Sequence, residues 1–192
     1  TVNFKGQAQY ELTRDAGEST STTDTNQGQV ELRYSRRLNK HLNAYASSRY
    51  TYDTLNEVGT DTFNASAGLG VDLIKTSTTV VNVSLGPGVQ SIWGGNGCIS
   101  DATCGRTYAA STARIQMDWS PNQSIQFNLT DSLTAAFFNG VKPINTLSAT
   151  LKIFPTPNKS LFTALTAQTI FDSLQSPQVN NSVSLQIGAE LK

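Results

Sequence analysis

The stretch "GQVELRYSRRLNKHLNAYASSRYTY", residues 28–52, contains two alternating runs joined by the turn-like segment RRLNKH. In the first run Val30, Leu32 and Tyr34 alternate with polar residues, and the second run alternates in the same way. A period of two predicts a β-strand with two unlike faces. A soluble sheet and a membrane barrel produce the same alternation, so the fold depends on which face meets water.

The alternation recurs along the whole chain and predicts an all-β fold of about ten strands in a single domain, residues 1–192. The predicted strands cover residues 2–13, 28–35, 42–52, 63–73, 81–90, 111–119, 125–137, 147–154, 161–171 and 183–191. The connections between them alternate between tight turns and longer polar loops, of which 14–26 and 93–107 are the longest. This asymmetry is typical of an antiparallel up-and-down transmembrane β-barrel, and an even strand count places both termini on the periplasmic side.

The amino-acid composition argues against some classes of function. Charged residues are 15% of the chain and the formal net charge is zero, against roughly 25% charged residues in soluble domains. Nucleic-acid binding is not expected, because it requires a basic surface. The apolar runs are too short for a transmembrane helix.

The polar face consists mainly of Gln, Asn, Ser, Thr and Gly, which suits a crowded lumen better than a surface in water. Its charges must pair, because a lone desolvated charge is costly. We expect Glu31 near Arg49, and Glu190 near Lys5 if the barrel closes. The full predicted lumen network is Lys5, Glu11, Glu31, Arg33, Arg49, Asp72, Arg114, Asp118, Lys152 and Glu190.

Aromatic residues fall toward the two ends of the predicted strands, as membrane barrels place them at both interfaces. The predicted girdle is Phe4, Tyr10, Tyr34, Tyr50, Tyr52, Phe63, Trp93, Trp119, Phe137, Phe154 and Phe171. Strands of about nine to eleven residues also suffice to cross a bilayer at a tilt. Asp131 lies on the apolar register, where it is expected to mark a bulge or the edge of the bilayer.

Cys98 and Cys104 lie in the Gly-rich segment "GGNGCISDATCGR". Two cysteines in one such loop predict a local disulfide and an oxidising compartment. The alternative, free or metal-binding cysteines, lacks ligands, because the chain has a single histidine and a structural zinc site needs four. We therefore expect no metal and no cofactor.

An outer-membrane hydrolase or acyltransferase is the main enzymatic alternative, and that chemistry needs a base, most often histidine, near a serine. The only histidine, His41, lies in the tight turn RRLNKH. Turns of this kind carry solvated polar residues, so His41 is expected to be structural. The sequence predicts a protein that is not an enzyme.

The segment "GLGVDLIKTSTTVVNVSLGPGVQ", residues 68–90, with the later "NTLSATLKIF" and "DSLQSPQVNN", resembles a family of bacterial salt-induced outer membrane proteins. The resemblance implies an outer-membrane barrel and no catalytic residues. With the pattern above, it predicts a structural or loop-bearing platform with a narrow, plugged lumen, in contact with lipid and lipopolysaccharide and with protein partners through loops 14–26 and 93–107. Two alternatives remain open: a small-solute or ion pore, and a soluble secreted ligand-binding barrel with its apolar face inward.

Overall fold

A computed structural model describes residues 2–13, 22–54, 59–139, 141, 143–155, 161–171 and 179–189, with the backbone alone for 2–13, 22–27, 180 and 189. These residues form ten antiparallel strands in one sheet, in the order β1 to β10. The strands are β1 Val2–Thr13, β2 Thr22–Arg37, β3 Leu42–Asp53, β4 Asp61–Lys75, β5 Thr79–Trp93, β6 Arg106–Trp119, β7 Ile125–Ala136, β8 Ile144–Ile153, β9 Leu161–Phe171 and β10 Val179–Ala189. The predicted all-β antiparallel fold with consecutive strands as neighbours is confirmed.

Several strands are longer than the alternation predicted. β2 begins at Thr22 rather than residue 28, because its polar first third continues the ladder with β1 as far as Thr13. Backbone hydrogen bonds, rather than apolar alternation, define this part of the strand. The polar connection after β1 is correspondingly shorter than the predicted loop 14–26.

The sheet is strongly curled. Neighbouring strands lie about 4.8 Å apart, so β2 and β6, four positions apart, would be separated by about 19 Å in a flat sheet. Instead, Arg114 on β6 contacts Glu31 on β2 at 2.8 Å. The sheet therefore forms a half-barrel whose concave face brings distant strands together.

A glycine-lined close approach of the two backbones, which we call the corner, lies between β4 and β5. Pairing is interrupted between Ser66–Gly88 and Leu69–Leu85. A Cβ placed on Gly86 would lie only 2.2 Å from the Ala67 carbonyl oxygen. Only glycine permits two backbones to approach this closely, which explains the glycines at positions 68, 86 and 88.

No ladder joins β1 to β10 within the described ranges. A one-turn 3₁₀ segment, Gly97–Ile99, is the helical element that the described residues contain. None of the helical structure in the described part is long and apolar enough to cross a membrane.

Candidate functional site

The polar register of the strands lines a cavity of about 250 Å³ on the concave face. Its walls come from β2, β3 and β6 on one side and from β7, β8 and β9 on the other. The lining residues are Gln29, Glu31, Arg33, Arg49, Arg114, Gln116, Asn128, Thr130, Ser132, Thr146, Ser148 and Gln168. Every one of them carries a hydrogen-bonding side chain, so the cavity can solvate a charged or polar ligand.

A charge cluster, in which the buried Glu31 lies among the half-buried Arg33, Arg49 and Arg114, occupies one wall of this cavity; we call it the arginine cluster. Glu31 Oε2 accepts a hydrogen bond from Arg49 Nη2 at 2.8 Å. Its Oε1 accepts one from Arg114 Nη1, also at 2.8 Å. The predicted Glu31–Arg49 pair is thus present, and a second arginine completes a bridge across the curled sheet.

The backbone positions these side chains through register and curvature. Glu31 and Arg49 are directly opposite each other in the β2–β3 ladder, where side chains on one face of a sheet interact. Arg114 is the register partner of Ser84 on β5 and reaches Glu31 only because the sheet curls. The Glu31–Arg49 contact thus joins neighbouring strands, whereas the Glu31–Arg114 contact joins strands that are distant in the sheet.

Arg33 is held separately from Glu31. Its Nη2 donates to Ser84 Oγ at 3.2 Å, and its guanidinium lies 4.2 Å from the centre of the Tyr45 ring. A cation over an aromatic face is attracted by the ring quadrupole. Tyr45 is buried and was absent from the predicted site, although it shares the odd-numbered register of Arg49, which could have identified it.

Hydrogen bonding in the cluster is incomplete. Arg114 Nε is buried and has no hydrogen-bond partner among the described residues. Most buried donors in folded proteins are satisfied, so an unpartnered donor calls for a specific explanation.

Two other predicted carboxylates lie outside the cluster. Asp72 pairs with Lys75 at 3.2 Å and Arg37 at 3.7 Å and accepts from Asn82 at 2.8 Å. These contacts link β2, β4 and β5 at the short-turn end of the sheet, where the backbone amide of Asp72 also donates to the carbonyl of His41.

Asp118 accepts hydrogen bonds from Asn128 Nδ2 at 2.6 Å and Gln116 Nε2 at 2.9 Å. Lys152 lies over the ring of Phe162, 4.5 Å from its centre. The predicted network is therefore divided into separate groups along the concave face. The side chains of Lys5, Glu11 and Glu190, and with them the predicted Glu190–Lys5 contact, lie outside the described set.

Side chains of the disulfide loop pack against the ends of β5 and β6 at the long-loop end. Cys98 and Cys104 form the predicted disulfide, with 5.1 Å between their Cα atoms. Cys104 packs against Ile92, which is fully buried. The Tyr108 ring packs against that of Phe138 in a tilted arrangement with 4.8 Å between ring centres, and the Tyr108 hydroxyl donates to the Thr103 carbonyl.

A hydrogen-bonded turn shapes the disulfide loop itself. The hydroxyl and amide of Thr103 both donate to Asp101 Oδ1. These hydrogen bonds lower the pKa of Asp101, because they favour its charged form. Together with the disulfide, they give this long polar loop a defined shape beside the mouth of the half-barrel.

The convex face is apolar and exposed. Leu85 is 62% exposed, and Val183, Leu185 and Ile187 on β10 are 73%, 68% and 81% exposed. The concave face shows the opposite pattern, with Ser84 at 2% and Gln90 at 0%. The molecule is thus polar inside and apolar outside over the described strands.

Most described aromatic residues of the predicted girdle lie on this convex face. Tyr34, Tyr50, Trp93, Trp119, Phe137 and Phe171 are exposed, Tyr52 and Phe63 are half-buried, and the side chains of Phe4 and Tyr10 lie outside the described set. The prediction for Phe154 was wrong. It is 1% exposed and its ring centre lies 6.1 Å from that of Phe162, because it continues the even-numbered register of Thr146 and Ser148, which faces the cavity.

Asp131 is the polar residue that interrupts the convex apolar face in the middle of β7. The ladders on both sides pass through it without a register shift, so it does not mark the expected bulge. Its Oδ1 accepts a hydrogen bond from Asn145 Nδ2 at 2.8 Å, which offsets part of the cost of placing a carboxylate among apolar neighbours.

No group of three or more metal-binding side chains occurs among the residues that the structure describes. In comparisons with known proteins, a family model described as "Protein of unknown function, DUF481" matches residues 1–186. No curated protein matches the chain.

Proposed function

This chain belongs to the DUF481 family, and we propose that it is a bacterial outer-membrane β-barrel without enzymatic activity. In this proposal the sheet closes between β1 and β10, and both termini lie in the periplasm. The barrel contacts lipid and lipopolysaccharide, has a narrow polar lumen, and presents its long loops as a platform for protein partners.

The orientation of the two faces carries the proposal. Soluble monomers rarely expose large continuous apolar patches, yet the convex face exposes leucine, valine and isoleucine along consecutive strands. In a bilayer these side chains lie in hydrocarbon, whereas the polar concave side chains face the lumen, where many of them hydrogen-bond to one another. The opposite orientation is expected of a soluble ligand-binding barrel, so this alternative is disfavoured.

The strands and their ends support the same proposal. Described strands of 10 to 16 residues match or exceed the roughly 9 to 11 residues that cross a bilayer at a tilt. Trp93 ends β5 at the long-loop end, and Trp119 ends β6 at the short-turn end. Closure between the first and last strands would also remove two unpaired edges, which a bilayer does not tolerate.

The cavity supports a narrow lumen. Its volume is about 250 Å³, and the two Glu31 hydrogen bonds connect β2 with β3 and β6 across the concave face. An eight-stranded barrel is just wide enough for side chains to fill, and ten strands add little width. This arrangement favours a loop-bearing platform over a general porin. A small ion pore is the second candidate, favoured by the continuous polar lining.

Two exposed apolar residues, one in a strand and one in a loop, allow a test of the membrane proposal. Leu85 is 62% exposed in mid-β5, and Ile99 is 89% exposed in the disulfide loop. We would introduce Leu85→Cys and Ile99→Cys separately, leaving the native disulfide intact, and compare labelling by a membrane-impermeant maleimide in vesicles.

We expect fast labelling at residue 99, protection at residue 85, and quenching of a fluorophore at residue 85 by brominated lipid. After detergent extraction both positions should label. Equal labelling of the two positions in vesicles, with the protein soluble as a monomer without detergent, would exclude the membrane proposal.

A further inference from the structure

The charges that line the cavity do not balance. Three arginines, Arg33, Arg49 and Arg114, face the single carboxylate of Glu31 among the described lining residues. Glu31 accepts from two of them, while Arg33 contacts a neutral hydroxyl and an aromatic ring. The described wall therefore carries two more positive than negative charges in a partly enclosed space.

The neighbouring strand adds no acid at this level. In the β1–β2 ladder the residues opposite Arg33, Glu31 and Gln29 are Asn3, Lys5 and Gln7. The nearest acidic position on β1, Glu11, is opposite Thr25, six residues along β2 from Glu31. The register thus places no carboxylate of β1 beside the excess guanidiniums.

Buried cations without counter-charges are costly, and the cost falls when an anion occupies the site. We propose that the arginine cluster is a binding site for a small oxyanion, of the phosphate or carboxylate class. Guanidinium groups match the planar, two-oxygen edges of such anions. The unpartnered Arg114 Nε is a donor that an oxyanion would satisfy.

The remaining walls and the size of the cavity fit this ligand. Ser132, Thr146, Ser148 and Gln168 supply neutral donors from the facing strands. A volume of about 250 Å³ corresponds to roughly eight water molecules at about 30 Å³ each. An inorganic phosphate with part of its hydration shell fits this volume.

The test titrates inorganic phosphate into the full chain in neutral detergent, at an ionic strength held constant with chloride. The readout is the set of arginine side-chain Nε–H signals in ¹⁵N NMR. We expect saturable shifts of the Arg33, Arg49 and Arg114 signals, with the signal of exposed Arg36 unchanged. A parallel titration with acetate shows whether the site binds carboxylates or phosphate more tightly.

Three variants are expected to change the phosphate affinity in different ways. Arg33→Gln removes an excess charge without touching Glu31 and should weaken phosphate binding about 10-fold, the equivalent of one charge-assisted hydrogen bond. Glu31→Gln removes the competing carboxylate and should tighten binding by about the same factor. Arg36→Gln, on the same strand but exposed, is the matched control and should change affinity less than about 2-fold.

Shifts that do not saturate, or equal effects of Arg33→Gln and Arg36→Gln, would overturn the proposal, because they indicate general charge screening. If Glu31→Gln does not fold, the comparison of Arg33→Gln with Arg36→Gln still decides. Membrane insertion is not part of this readout. Failure of anion binding is therefore distinguishable from failure of the membrane proposal, which the residue 85 labelling reports.

Discussion

Replacing Glu31 by glutamine removes the carboxylate that holds both Arg49 and Arg114, and we expect a large loss of stability. All three residues of this bridge are largely buried, with side-chain exposures of 12% for Glu31, 21% for Arg49 and 16% for Arg114. Removing one partner of a buried ion pair costs about 3–5 kcal/mol, because the remaining charges lose their compensation. We expect Glu31→Gln to fall in that range.

Arg114→Gln should cost less, about 1.5–3 kcal/mol, the value of one hydrogen bond to a charged group, because Glu31 keeps its contact with Arg49. The double variant should be about as stable as Glu31→Gln alone, since Arg114 has no carboxylate left to bind. The expected coupling energy between the two positions is therefore about 2 kcal/mol, within the range for residues in contact.

The measurement is reversible urea unfolding of the full chain in lipid vesicles, followed by the fluorescence of Trp93 and Trp119. Arg36→Gln, an exposed change on the same strand, should stay within about 0.5 kcal/mol of the native protein. Additive effects of Glu31→Gln and Arg114→Gln would show that the two side chains do not interact. A Glu31→Gln protein more stable than the native one would refute the counter-charge reasoning.

Gly86→Ala should destabilise the protein by about 1–3 kcal/mol in the same unfolding assay, because the added Cβ would lie 2.2 Å from the Ala67 carbonyl oxygen. Gly28→Ala, with nothing within 4 Å of its added Cβ, is the control, and an equal loss there would contradict the corner. In planar bilayers the native barrel should show only a small conductance, and Arg49→Ala with Arg114→Ala should raise both conductance and cation preference; a large native conductance would show that the lumen is open. Reducing the Cys98–Cys104 disulfide should lower stability by about 2 kcal/mol, and thiols that react before reduction would contradict the bond.

The strand pattern and the nearest contacts were predictable from the sequence. Alternation identified all ten strands, because side-chain direction along a strand depends only on local backbone geometry. Short turns make consecutive strands neighbours, so Glu31 and Arg49 could be paired from sequence alone. The disulfide followed from two cysteines in one glycine-rich loop. The ends of the strands were less predictable, since ladder hydrogen bonds extend β2 through polar residues without alternation.

The sequence by itself determined which residues share a face, and the tertiary structure decided which faces meet. Arg114 reaches Glu31 across four strand positions, and Arg33 reaches Ser84 across three, because the twists of successive strand pairs add up to a curled sheet. The alternation of residue types carries no information about the overall curvature of the sheet, because curvature depends on the relative placement of many strands. The excess of guanidinium groups around one carboxylate therefore becomes visible only when the sheet has folded.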